Sequence, residues 1–219
     1  MKKLIALTLA LLMLTMSFVA CNKTEPETTT EPVVDTTEAP VADTTEAPVA
    51  LPYANALELL QIIFEKYNAT ATEETMLYVC GGNINNFDTC NPEGPAAFVA
   101  LDNEDYNQNL GIPAAEADKI ASAASMFNMM NANTFNCFTV QLNDGVDADA
   151  FISTLKDNIL ARQWICGAPE KLVIVECPGD YIMVVWGAVE FGGIVNPFVE
   201  GAVAAVEGAT IVVEHTFEY

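Results

Sequence analysis

The chain predicts an α+β fold, and three observations carry that prediction. Four short runs are rich in β-branched and aromatic residues, two segments among them repeat apolar side chains at helical spacing, and Gly, Pro or Asn turns divide them. All six elements fall between Thr134 and Tyr219, with almost no residues to spare.

Taken in chain order, Ala54–Tyr67 reads as an amphipathic helix with Leu57, Leu60, Ile63 or Phe64, and Tyr67 on one face. Met76–Val79 reads as a short strand ending at Cys80-Gly81-Gly82-Asn83. Asp102 is placed to cap a short helix through Leu110, which Gly111-Ile112-Pro113 breaks. Ala114–Met130, rich in alanine and methionine, reads as a longer helix, and Met126, Met129 and Met130 fit core filling better than a soft ligand patch. Thr134–Leu142 is the first clear strand, closed by the Asn143-Asp144-Gly145 turn. Asp147 then caps a helix over Asp147–Gln163, stapled by Val146 and Phe151 and apolar along Ala148, Phe151, Ile152, Leu155 and Ile159. Leu172–Val175 and Tyr181–Trp186 flank Pro178-Gly179-Asp180 as a hairpin. Asn196-Pro197 starts a second helix that Gly208 ends, and Thr210–Val213 is the last strand.

The order strand, helix, strand, strand, helix, strand predicts a ferredoxin-like βαββαβ unit, an antiparallel sheet with helices on one face, preceded by a mostly helical N-terminal part. A sheet of the same strands in another order is the alternative, because spacing settles element order more firmly than pairing. Such a fold hosts many activities and names none.

Ahead of this domain, Met1-Lys2-Lys3 and the uncharged apolar run Leu4–Met16 lead to Phe18-Val19-Ala20-Cys21. This resembles a bacterial lipoprotein signal peptide, although Phe18 stands where leucine is usual. Residues 1–20 are then the cleaved leader and Cys21 the acylated, palmitate-bearing residue, on the outer face of the cell membrane. An ordinary secretory signal or an uncleaved anchor are the other readings. Residues 21–51 carry Asp35–Ala42 (DTTEAPVA), repeated identically as Asp43–Ala50. A Thr/Glu/Pro tract of that kind cannot build a core and predicts a disordered tether. Thirty extended residues reach on the order of 90 Å. Residues 52–219 are left as one globular domain.

From Ala100 onward, several short motifs stand out: Leu101-Asp102-Asn103-Glu104-Asp105-Tyr106, Leu110-Gly111-Ile112, the Thr134–Leu142 strand with its Asn-Asp-Gly turn, and Gly179-Asp180-Tyr181-Ile182-Met183-Val184. In these the chain resembles a family of uncharacterised Gram-positive bacterial lipoproteins sharing a domain of unknown function. The resemblance covers about half the chain. It implies a small exported lipoprotein and brings no catalytic residues with it.

With 30 acidic against 8 basic side chains, the formal charge is −22. That argues against nucleic acid, and against docking on anionic lipid other than through the anchor. Setting Cys21 aside leaves five cysteines. Cys80 and Cys90 bracket a loop that brings them together readily, so a disulfide is expected there outside the membrane. Cys166 and Cys177 are a second candidate pair, opposed by geometry: Lys171–Cys177 as a strand spans about 20 Å, where a disulfide tolerates under about 7 Å between Cα atoms. Cys137, mid-strand, reads as a buried free thiol.

No CxxC occurs and His215 is the single histidine, which leaves no zinc site and no Ser-His-Asp triad in view. Asp102–Asp105 and Asp144–Asp149 lack the calcium-loop pattern, and no nucleotide or cofactor motif appears. No catalytic residue, metal or cofactor is therefore assigned. The expected role is a tethered binding module for a small molecule or a protein, and Asn83, Asn85, Asn86 and Asp88 in Gly81–Pro95 are its expected contact surface. A carboxylate-dependent cell-surface hydrolase is the alternative, and an assembly subunit a third class.

Overall fold

The computed structural model describes residues 50–130, 134–165, 167–190 and 193–219. The leader, Cys21 and nearly all of the tether lie outside these residues, as does Cys166. In chain order the elements are α1 (Ala56–Asn68), β1 (Val79–Gly81), β2 (Ala96–Ala97), α2 (Asn103–Asp105), continued by a π turn over Tyr106–Leu110, then β3 (Ile120–Asn128) and β4 (Phe135–Leu142). There follow α3 (Ala148–Leu160), β5 (Lys171–Cys177), β6 (Tyr181–Gly187), α4 (Val195–Ala205) and β7 (Thr210–Thr216). Short 3₁₀ turns cover Phe87–Thr89 and Ala114–Lys119.

The fold is α+β, with an antiparallel sheet ordered β1-β3-β4-β6-β5-β7 and β2 also paired to β3. Half of the expected topology is present, since β6 lies between β4 and β5 as in a split βαβ unit. The ferredoxin-like order is not. That plan sets the last strand beside the first of the unit, whereas β7 pairs with β5. The cause is β3, which occupies the edge of β4 that β7 would need. Both crossovers, β4 to β5 and β6 to β7, now step the same way along the sheet, while β4 and β6 run in opposite directions. Right-handed crossovers then place α3 and α4 on opposite faces. The expectation of helices on one face is corrected accordingly.

The two faces have separate cores. On one, α1 and α4 cover Ala124, Met126, Phe135, Cys137, Val173, Met183 and Val185. On the other, α3 lays Phe151, Ile152, Leu155 and Ile159 over Phe138, Val140, Ile174, Ile182 and Val184. Alternate residues of β4, β5 and β6 serve alternate faces, which is why Tyr181–Gly187 is buried throughout and reads as an unbroken apolar run.

β3 is the main departure from sequence expectation, because Ala114–Met130 was expected to be helical. Its small residues instead permit close approach on both faces. Ser122 Oγ accepts from the Ala56 N–H at 3.0 Å, and Ser125 Oγ donates to the Gly82 carbonyl at 2.8 Å. Met126 is buried core, whereas Met129 and Met130, just past the strand, are 55% and 53% exposed. The caps fall nearly where expected. Asp102 accepts from the Glu104 and Asp105 N–H groups and Asp147 from that of Ala150; α4 differs, because it starts at Val195 with Ile194, which has no side-chain acceptor, at its cap position, so Asn196 lies inside the helix, where its Oδ1 accepts from Lys171 Nζ at 2.7 Å. No helix among the described residues is long and apolar enough to cross a membrane.

Candidate functional site

On the α3 face, register aligns one cross-strand row: Phe127 on β3, Asn136 on β4, Trp186 on β6 and Leu172 on β5. The helix ends at Leu160. The next residues, Arg162 and Trp164, come down against this row instead of continuing the helix. Across from them stand Ile84 of the Gly82–Asn86 loop and Gln108, Asn109 and Leu110 of the π turn. Between these walls lie two adjoining hollows of about 210 and 420 Å³ that share Ile84, Phe127, Asn136 and Trp164.

Three residues that line the smaller hollow each carry a buried N–H donor that meets no hydrogen-bond partner among the described residues: Arg162 Nη1, Trp164 Nε1 and Trp186 Nε1. Trp186 is 1% exposed. The guanidinium carbon sits 5.1 Å from the Trp164 ring centre and 6.0 Å from that of Trp186, and the two indoles are 6.1 Å apart. Nη2 donates to the Gln108 carbonyl at 3.0 Å. No carboxylate among the described residues pairs with Arg162, and burial lowers its pKa. A buried donor left unpaired costs about 1–3 kcal/mol, and folded proteins leave few such groups without a partner.

Gly111 makes room for this arrangement. Its φ is 69°, and a Cβ there would stand 2.7 Å from Ile159 Cγ1 and 3.3 Å from Arg162 Nη1. The lining of the two hollows contains no Asp, Glu, His, Cys or Lys among the described residues. It can hold a ligand through aromatic faces and the Asn136 amide, but it offers no acid–base pair.

The loop residues expected to make contacts are placed differently. Asn83 is fully buried, and its Nδ2 donates to the Val99 carbonyl at 3.0 Å and to Asp105 Oδ2 at 2.7 Å. Asn85 Nδ2 donates to Asp105 Oδ1 at 2.6 Å, and Asn86 Nδ2 to the Val99 carbonyl at 3.3 Å. Asp88 is exposed in the 3₁₀ turn. These amides brace the loop from within, and from this loop Gly82 and Ile84 line the smaller hollow. Burial raises the Asp105 carboxyl, but hydrogen bonds from Asn85, the Leu101 N–H and Asn83 outweigh it, so its pKa lies below the usual value.

Cys80 and Cys90 are thiols in direct contact at the base of that loop, and the Cys90 Sγ–H donates to the Asn83 carbonyl at 3.2 Å. Cys137 is a buried thiol, as expected, with its pKa raised by burial and by neighbouring Cys177. Burial pushes the Cys177 thiol up to about 12, with a further contribution from Glu176. His215 lies on β7 beside Leu172 and packs edge-on to Phe217. No group of three or more His, Cys, Asp or Glu side chains among the described residues is arranged to hold a metal ion.

Comparison with protein-family models, curated proteins and solved structures finds no match to the chain. The site therefore rests on its own geometry. Sequence reasoning missed it, though one signal was available. The chain has two tryptophans and 8 basic residues, and Arg162-Gln163-Trp164 holds one of each within three positions.

Proposed function

We propose that the domain is a non-catalytic binding module that takes a small molecule or a chain end in the cleft at the end of α3. The observation that carries this reading is the pair of adjoining hollows, lined by two indoles, an apolar rim and Arg162, which has no carboxylate partner among the described residues. A cavity of that make-up suits a ligand with an apolar or aromatic body. The lack of carboxylates among the described residues of the cleft lining favours binding over a carboxylate-dependent hydrolase. The expected lipid anchor at Cys21 and the Thr/Glu/Pro tether support an outward-facing receptor held off the membrane.

Both tryptophans line the cleft, so intrinsic fluorescence reports its occupancy directly. The test is a titration of the chain with wall fragments, peptides, sugars and organic acids, read by fluorescence and by thermal shift. A ligand at a hundred times its dissociation constant stabilises the fold by about 2.7 kcal/mol. A saturable fluorescence change, reduced in Trp164→Phe and in Trp186→Phe, is the expected result. A ligand that stabilises the fold without touching either indole would place the binding site elsewhere and sink the cleft.

A further inference from the structure

Given that the cleft binds a ligand, as proposed above, we infer that the ligand class is an uncharged peptide with an apolar side chain, held by the side-chain amide of Asn136. Asn136 is the polar member of the alternate set that β4 presents to the α3 face; the others, Phe138, Val140 and Leu142, are buried core. It lines both hollows, is only partly buried, and its side chain makes no hydrogen bond among the described residues. Asparagine is depleted in strands because it packs poorly on a pleated, half-buried surface. Where a residue breaks such a rule with no local gain, a functional contact is the expected reason. An amide carries an acceptor oxygen and N–H donors side by side. In an extended peptide one residue's own N–H and C=O point to the same side, the pair that antiparallel strands exchange. The Asn136 amide matches that pair with both bonds at once. A hydroxyl, donor and acceptor at a single atom, does not span the two.

Charge narrows the choice to a neutral ligand. No Asp or Glu lines either hollow among the described residues, so a cation finds no partner there. Arg162 is the single cation of the lining, and it is already committed. Nη2 donates to the Gln108 carbonyl at 3.0 Å, the guanidinium carbon lies 5.1 Å from the Trp164 ring centre, and Nη1 is buried beside Gly111, which lines neither hollow. The indole N–H groups are buried as well, so Trp164 and Trp186 offer the ligand ring surface. An anion meets no open positive group and enters a molecule whose formal charge is −22.

The larger hollow, of about 420 Å³, receives the apolar side chain. Phe127, Phe135, Met129, Met130, Ile84 and Trp164 line it, and its size is that of a small-molecule site. Ile84, Met129 and Met130 stand exposed on its rim. Methionines in that position adapt to varied apolar shapes, so the hollow selects an apolar side chain without fixing which one. Asn136 lies on the floor common to both hollows, which places the amide contact next to the apolar one.

The test uses the intact chain, labelled with ¹⁵N and ¹³C, in which the Asn136 NH₂ pair is assigned through its bonds. The probes are N-acetylphenylalanine N-methylamide, its depsi analogue with an ester oxygen in place of the phenylalanine N–H, and N-acetylglycine N-methylamide. Two more are N-methyl-3-phenylpropanamide, a monoamide, and N-acetylphenylalanine as the free acid. The inference expects the phenylalanine diamide to shift the Asn136 pair saturably. The depsi analogue binds at least about fivefold more weakly, the loss of one neutral hydrogen bond, and the glycine diamide at least about tenfold more weakly, the loss of the apolar side chain. Asn136→Leu removes the preference for N–H over ester oxygen while apolar binding persists, a split that a merely structural asparagine does not produce. Equal binding of the diamide and its depsi analogue overturns the peptide and leaves the binding reading standing. The monoamide binding as tightly as the diamide overturns it in favour of small neutral amides. A glycine diamide as tight as the phenylalanine one overturns the apolar side chain, and a free acid tighter than the diamide overturns the neutral class. If no compound of any class shifts Asn136 or either indole, both the inference and the binding reading fall. The probe comparisons are made on the unmodified chain and do not depend on any variant folding.

Discussion

Asp105→Asn is the substitution from which most can be learned. The Asp105 side chain is 4% exposed and accepts three hydrogen bonds, from Asn85 Nδ2 at 2.6 Å, Asn83 Nδ2 at 2.7 Å and the Leu101 N–H at 2.6 Å. Asparagine keeps the shape but offers one acceptor oxygen. Placed where Oδ2 is, it holds Asn83 and Leu101 and points its own amide at the Asn85 amide, donor against donor. Bonds to a charged group are worth about 1.5–3 kcal/mol and neutral ones about 0.5–1.5. Two bonds weakened by about 1–1.5 kcal/mol each and one lost bond of about 1.5–3 come to about 3.5–6 kcal/mol, falling to about 2–3 where exposed Asn85 turns to water. Urea unfolding measures this as a lower midpoint at unchanged m-value. Exchanging the partners, Asn85→Asp with Asp105→Asn, restores an acceptor opposite each donor and should recover about half of the loss. The pH dependence has a definite sign. The folded carboxyl lies below its unfolded value of about 3.9, so its contribution is complete above that pH and is lost as pH falls through the folded value. The gap between wild type and Asp105→Asn therefore narrows on acidification below about pH 4. A loss under about 0.5 kcal/mol, within the usual range for surface changes, refutes the bracing role. A gap that stays constant from neutral to acid pH refutes the charge.

Three further outcomes are expected. Treating the folded chain with a small-molecule disulfide should link Cys80 to Cys90 by exchange, a loss of two hydrogens by mass with the reagent reduced to its thiol, while Cys137 and Cys177 resist alkylation until denaturant is added; recovery of two independently alkylated thiols at 80 and 90 would refute the pairing. Gly111→Ala forces a side chain into left-handed backbone and onto Ile159, costing about 2–3 kcal/mol, and it should weaken ligand binding through Arg162; unchanged stability and affinity would count against the cradle. Cys21→Ser should abolish incorporation of a clickable palmitate analogue and release the chain from the membrane fraction, whereas an unaltered label would place acylation elsewhere.

The elements legible in the sequence are those whose local signals agree with their surroundings. The amphipathic stripe of α3, its Asp147 cap and the Pro178-Gly179-Asp180 turn each reflect short-range physics, and each lies where its residues predict. β3 was illegible because alanine and methionine favour helix in isolation, while the sheet needs small residues at 122–125 to admit the Ala56 and Gly82 backbones. That one misreading propagates. With β3 unseen, the edge of β4 looks vacant, the last strand is assigned to it, and both helices fall on one face. The loop amides failed differently: an asparagine cluster can face a ligand or brace a turn, and the acceptor that decides between them, Asp105, is 22 residues beyond Asn83. The cleft is the least local feature of all. Its donors come from the residues after α3 and from the end of β6, and they meet only because register sets Trp186 opposite Asn136 and Asn136 opposite Phe127. A polar group at the end of a buried strand is ordinarily paired in the core, so its lack of a partner is visible only once the sheet is assembled.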